Sequence, residues 1–212
     1  MKKTLLLIVI GLNVFPLTNS AFAQDTLLFH GKRNKIGFLA GDGVQYIGQL
    51  IGNNNHNIAL RTTYYYKVNF YQLQYYITGL RKKTFGIDIL FQPQYNLTRY
   101  KMYDDDDSTG YLKGHEVGLN IGFVYRKNTP NNFLSCYMSI SSGPHYVSGT
   151  PHRQSSGFVF SNNLSAGVNL RVYKNLYADI RTGIRHISNA GFKIPNAGVN
   201  DMILNEGLMI VF

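Results

Sequence analysis

From Phe158 to Val172 the chain alternates with a period of two. Phe158, Phe160, Leu164, Ala166, Val168, Leu170 and Val172 share one side with Asn162, and Ser161, Asn163, Ser165, Gly167, Asn169 and Arg171 share the other. Successive side chains of an extended strand point to opposite faces, so the pattern predicts a strand with one apolar and one polar face. It recurs along the chain. Leu176, Ala178, Ile180, Thr182 and Ile184 oppose Tyr177, Asp179, Arg181, Gly183 and Arg185, and Val117, Leu119, Ile121 and Phe123 oppose Glu116, Gly118, Asn120 and Gly122. Residues 85–92 and 134–141 alternate in the same way.

The polar faces constrain the fold most. They hold Asp88, Glu116, Arg171, Asp179, Arg181 and Arg185 among glycines and serines. Charges that can pair inside, with apolar residues outside, suit the interior of a small closed barrel in lipid. A soluble lipocalin-type barrel would show the reverse, and a soluble sandwich is the competing reading. The sixteen tyrosines and thirteen phenylalanines, with no tryptophan, also favour strands over helices.

Eight strands are expected, over residues 36–48, 58–76, 83–100, 115–127, 132–147, 157–173, 175–188 and 200–212. In the second, the phase changes near Phe70 and Tyr71, and a bulge there would account for it. The expected fold is all-β, an eight-stranded antiparallel transmembrane β-barrel of the bacterial outer membrane. Its C-terminal Phe212 resembles the assembly signal of that class. Short turns at 79–83, 126–132 and 173–175 then face the periplasm, and longer loops at 49–57, 101–114, 148–156 and 189–200 face outward.

The N-terminus agrees with export. Two lysines, an apolar stretch and Ala21-Phe22-Ala23 before Gln24 form a secretory signal peptide over residues 1–23, which leaves residues 24–212 as one barrel domain. Losing Lys2 and Lys3 takes the formal charge from 21 cations against 11 anions to 19 against 11, or +8. A basic exported chain fits an anionic partner such as a phosphorylated lipid. The single cysteine, Cys136, excludes an internal disulfide. No later stretch is apolar enough for a spanning helix, which needs about 18 such residues.

Near the C-terminus the chain reads RHISNAGFKIPNAGVN, residues 185–200. His186 and Ser188 extend the apolar, outward face of strand 175–188. Polar groups there are costly and invite a functional explanation, although an interfacial girdle is the plain alternative. Residues i and i+2 share a face, so an imidazole can reach a hydroxyl and accept its proton. A nucleophile at that place would meet a lipid ester rather than a soluble substrate.

This segment resembles the signature of the outer-membrane lipid A 3-O-deacylases, the PagL family, most densely over residues 183–200. Residues 143–167 and the NNNH of the first outer loop resemble the family more weakly. The resemblance implies an esterase that removes an ester-linked acyl chain from lipid A at the outer leaflet. It puts the nucleophile at Ser188 and the base at His186, and makes Asn189, Gly191 and Asn196 oxyanion- or substrate-binding residues. Where the family has a glutamate as third member, this chain has Asn200. An Asn carbonyl can orient the imidazole but cannot offset its charge. Asp201 should point into the lumen, and Glu206 is farther along the strand. Ile184, Leu204 and Leu208 are candidates for an acyl-chain wall.

The implied partner is lipid A or lipopolysaccharide, with the chain embedded in the membrane. A homodimer is compatible with the sequence. No cofactor, catalytic metal or nucleic acid is expected, because no metal-ligand spacing or phosphate loop occurs. Asp104–Asp107 would hold divalent cations or form a solvated loop, and Lys193 would meet a lipid phosphate or be an ordinary loop charge. The competing function is a non-catalytic barrel that interacts through its outer loops. A narrow channel is disfavoured, since small barrels are filled by side chains.

Overall fold

The computed structural model describes residues 34–45, 64–82, 84–101 and 110–212. Within these, eight strands follow in chain order: β1 Lys35–Val44, β2 Tyr66–Arg81, β3 Phe85–Tyr100, β4 Leu112–Asn128, β5 Leu134–Val147, β6 Gly157–Tyr173, β7 Leu176–Ser188 and β8 Val199–Val211. Each strand pairs with its sequence neighbour, and β1 also pairs antiparallel with β8, which closes the barrel. Closure leaves no sheet edge, the condition for strands to cross a bilayer. Residues 1–23, His56 with the rest of the NNNH segment, and Asp104–Asp107 lie outside the described residues, as do 46–48 and 58–63 of the expected first two strands.

The second strand departs from expectation. Its burial alternates without a break from Tyr66 to Thr78, so no bulge occurs at Phe70 and Tyr71. The inward face itself changes character, from Tyr66, Val68 and Phe70 to Gln72 and Gln74, and this change looks like a phase shift in sequence. The irregularity in pairing falls between Thr78 and Leu80, next to the turn into β3.

The expected polarity of the wall is present. Ile121, Phe123, Ile140, Leu164, Ile180, Leu204 and Leu208 are exposed on the outside. The lumen is filled by two apolar clusters and buried ions. Val68, Phe70, Val147, Val159, Ile187, Val199 and Ile203 pack towards the end with long connections, and Tyr76, Leu90, Val124, Tyr137 and Met209 towards the other. Arg185 Nη2 meets Glu116 Oε2 at 2.6 Å, and its Nη1 meets Asp201 Oδ2 at 3.2 Å. Asp88 binds Arg126 and Lys35, and Asp179 binds Arg181. His145 also lies in the lumen, between Gln94 and Asn120.

Candidate active site

On β7 the neighbours of His186 are Arg185 and Ile187, both buried in the lumen. Strand alternation therefore turns His186 and Ser188 to the outside wall, where both are half-buried. The β7–β8 ladder pairs His186 with Asn200, and His186 Nδ1 stands 2.7 Å from Asn200 Oδ1. That oxygen can only accept, so the bond requires the proton on Nδ1 and leaves Nε2 as the basic nitrogen. Asp201 is fully buried with Arg185 in the lumen, and Glu206 pairs with Ile180, six rungs from the imidazole. Neither carboxylate takes the place of Asn200.

Ser188 pairs with Phe160 of β6, two rungs beyond His186, and no hydrogen bond joins its Oγ to the imidazole. Among the described residues the structure thus brings His186 and Asn200 into contact and holds Ser188 beside them on the same face. Catalytic hydrogen bonds are often long without substrate and tighten on binding.

The connection after Ser188 is tightly knit. The Asn189 N–H donates to Asn196 Oδ1 at 2.9 Å, Asn189 Nδ2 donates to the Lys193 carbonyl at 2.6 Å, and the Gly191 N–H donates to Asn189 Oδ1 at 3.0 Å. The donors of Asn189 and Gly191 are therefore used to shape the loop. Asn196 accepts through Oδ1, which leaves its Nδ2 outside this bond. Phe192 and Ile194 are exposed on either side of Lys193.

Several supporting residues escaped the sequence reading. Residues 148–156 are stitched to the β7–β8 loop: Ala197 N–H donates to the Arg153 carbonyl at 2.9 Å, Ser155 N–H to the Pro195 carbonyl at 2.8 Å, and Gly198 N–H to Gln154 Oε1 at 3.1 Å. Arg153 stacks on Tyr64 at 4.5 Å, and Tyr64 Oη accepts the Asn200 N–H at 3.0 Å. Burial pushes the Tyr64 phenol up from its ordinary range, so it stays a neutral acceptor. Gly198 has φ +68°, and a Cβ there would come within 2.4 Å of His186 Cε1. Only glycine fits against the ring at that backbone angle. The signal for Arg153, Gln154 and Ser155 was the family-like stretch 143–167, but long-range partners cannot be read from one strand's pattern.

Beside His186 the outer wall forms a groove of about 410 Å³, lined mainly by apolar surface, with Ile140, Leu164 and Ile184 among its walls. Ile184 was expected there. Leu204 and Leu208 face outward on β8 but do not line it, so the groove runs towards β6 and β5. No group of three or more potential metal-ligating side chains occurs among the described residues.

The sequence matches the family described as lipid A 3-O-deacylase (PagL) over residues 74–208. The chain belongs to that family. Lipid A deacylation is the activity of the PagL family. No curated protein matches the sequence. Among solved structures, the crystal structure of the outer membrane enzyme PagL is similar at a TM-score of 0.53 and 17% identity, covering 82% of this chain and 97% of the other. Neisserial surface protein A gives 0.46 and 17%, covering 86% and 100%. Ail, the attachment invasion locus protein of Yersinia pestis, gives 0.44 and 13%, covering 85% and 97%. At such identity the PagL structure supports the outer-membrane barrel fold rather than any single site residue.

Proposed function

We propose that this barrel is a serine-type esterase that removes an ester-linked acyl chain from lipid A, with its site facing the outer leaflet. The observation that carries the reading is the 2.7 Å contact between His186 and Asn200 on the lipid-facing wall, beside Ser188 and above an apolar groove. An enzyme acting on a soluble ester has no reason to put its base there. The even strand number supports this orientation, since it returns both ends to the side of the short turns, the periplasmic side in barrels of this kind.

In this mechanism the acyl chain lies along the groove and brings its ester carbonyl to Ser188. His186 Nε2 takes the Ser188 Oγ proton as Oγ bonds to the carbonyl carbon. The tetrahedral oxyanion is met on the loop side by Asn196 Nδ2, while Asn189 and Gly191 hold the loop in shape. Collapse breaks the bond to the sugar oxygen, which leaves with the proton from His186. Water then attacks the acyl-serine, giving its proton to His186, and the fatty acid and Ser188 hydroxyl are released. Asn200 keeps the imidazole in the required tautomer throughout. In this reading Lys193, between the exposed Phe192 and Ile194, meets a lipid A phosphate. A homodimer is not part of this reading.

The test is mass spectrometry of lipid A from cells that express the chain, beside the Ser188→Ala variant. The expected result is loss of the mass of one acyl chain, abolished in the variant. Unchanged lipid A, with the folded barrel present in the outer membrane, would overturn the reading.

A further inference from the structure

Four polar residues cross the outer wall in one row. Ser142 of β5 pairs with Asn162 of β6, Asn162 with His186 of β7, and His186 with Asn200 of β8. All four line the same groove, and below them its wall is formed by Ile140, Leu164 and Ile184. With strands about 4.8 Å apart, the row spans about 14 Å. Polar side chains on a lipid-facing wall are costly, and four in register on adjacent strands form a shelf rather than scattered surface polarity.

Asn162 is the unassigned member. Ser142 Oγ donates to Asn162 Oδ1 at 2.6 Å, which fixes the amide with its oxygen towards β5. Its Nδ2 then carries two N–H groups that have no partner among the described residues. An amide donor at the edge of hydrocarbon needs an acceptor. Meanwhile the donors of Asn189 and Gly191 are turned into their own loop. The developing oxyanion is therefore short of donors on the loop side, while Asn162 presents one across the groove. Its diagonal separation from Ser188 is two residues along the ladder, about 7–8 Å between backbones, a span that an ester carbonyl and one amide side chain can bridge.

We infer that Asn162 is a catalytic residue, donating through Nδ2 to the carbonyl oxygen of the scissile ester, and that Ser142 is the positioning residue that orients it. This rests on the esterase reading above and adds a donor to its site. The hydrogen bond strengthens as negative charge develops on that oxygen, so it acts on kcat more than on KM.

The experiment measures initial rates of fatty-acid release from purified lipid A in mixed micelles, with folded barrel confirmed for each variant by circular dichroism. Asn162→Leu is expected to lower kcat about 10²-fold with KM within about threefold, the cost of one lost oxyanion donor. Asn162→Asp separates donation from structure, since it keeps the shape and the acceptor for Ser142 but has no N–H. It is expected to fall at least as far as Asn162→Leu. Ser142→Ala should lower kcat by less, and the double variant Ser142→Ala/Asn162→Leu should be no slower than Asn162→Leu alone, because the two act as one unit. Asn162→Asp or Asn162→Leu with kcat within threefold of the parent, while Ser188→Ala is dead, overturns this inference and leaves the esterase reading standing. A parent barrel without activity, or an active Ser188→Ala, overturns both.

Discussion

Replacing Asn200 by aspartate tests how the imidazole is held. Aspartate is isosteric, so a carboxylate oxygen would take the place of the amide oxygen now 2.7 Å from His186 Nδ1. Asn200 already selects the Nδ1–H tautomer, so the gain comes only from the charge that faces the imidazolium during proton transfer. A hydrogen bond to a charged partner contributes about 1.5–3 kcal/mol and a neutral one about 0.5–1.5. The difference, about 1–1.5 kcal/mol, corresponds to roughly tenfold in rate. Coulomb attraction at about 4 Å and an effective dielectric near 20 would give about 4 kcal/mol, an upper bound that solvent at this half-buried pair reduces. Asn200→Asp is therefore expected to raise kcat about tenfold. Asn200→Leu, which removes the acceptor and frees the tautomer, should lower it by about 10²–10⁴, the larger figure being the wrong-tautomer loss known in serine proteases. The assay is fatty-acid release from lipid A in mixed micelles. A folded Asn200→Leu variant with undiminished kcat, or an Asn200→Asp variant slower than the parent, would refute the reasoning.

Gly198→Ala places a methyl within 2.4 Å of His186 Cε1 at φ +68°, so kcat should fall at least about tenfold for about 1–3 kcal/mol of strain, read from the same rates. Arg185→Met leaves the Glu116 and Asp201 carboxylates buried without their cation, and the urea midpoint in detergent micelles should fall by the equivalent of about 3–5 kcal/mol. Ile184→Trp fills part of the groove, and kcat/KM should drop at least about tenfold for a long-chain ester while an acetyl ester stays within about threefold.

The sequence made the strands legible because lipid outside and paired charges inside impose a strict period of two, as on β6 and β7. It misled on β2 because the lumen there is apolar at one end and polar at the other, so a face defined by polarity seemed to switch sides. The outward parity of His186, Ser188 and Asn200 could be counted along single strands. The loop chemistry could not. Asn189 and Gly191 read as donors for substrate, yet their N–H groups close the turn, and Gln154, Arg153 and Tyr64 act from residues 44 to 136 positions away. Asn162 interrupts an apolar face in the sequence, but its meaning depends on register with β5 and β7.

Register also explains how a filled barrel can hold a site on its outside. Arg185 pairs with Asp201 and His186 with Asn200 on successive rungs of the β7–β8 ladder. The first pair is buried in the lumen and ion-paired, with Glu116 of β4 on the other side of the guanidinium. The second faces lipid and meets through one hydrogen bond. A slip of one residue would carry both pairs to the wrong face, uncovering buried charges and separating the imidazole from its acceptor. The side chains that exclude a pore are thus the ones that fix the outer wall. A single hydrogen bond between His186 and Asn200 is too weak to set that register alone. It needs only to be within reach once the buried ions have set it.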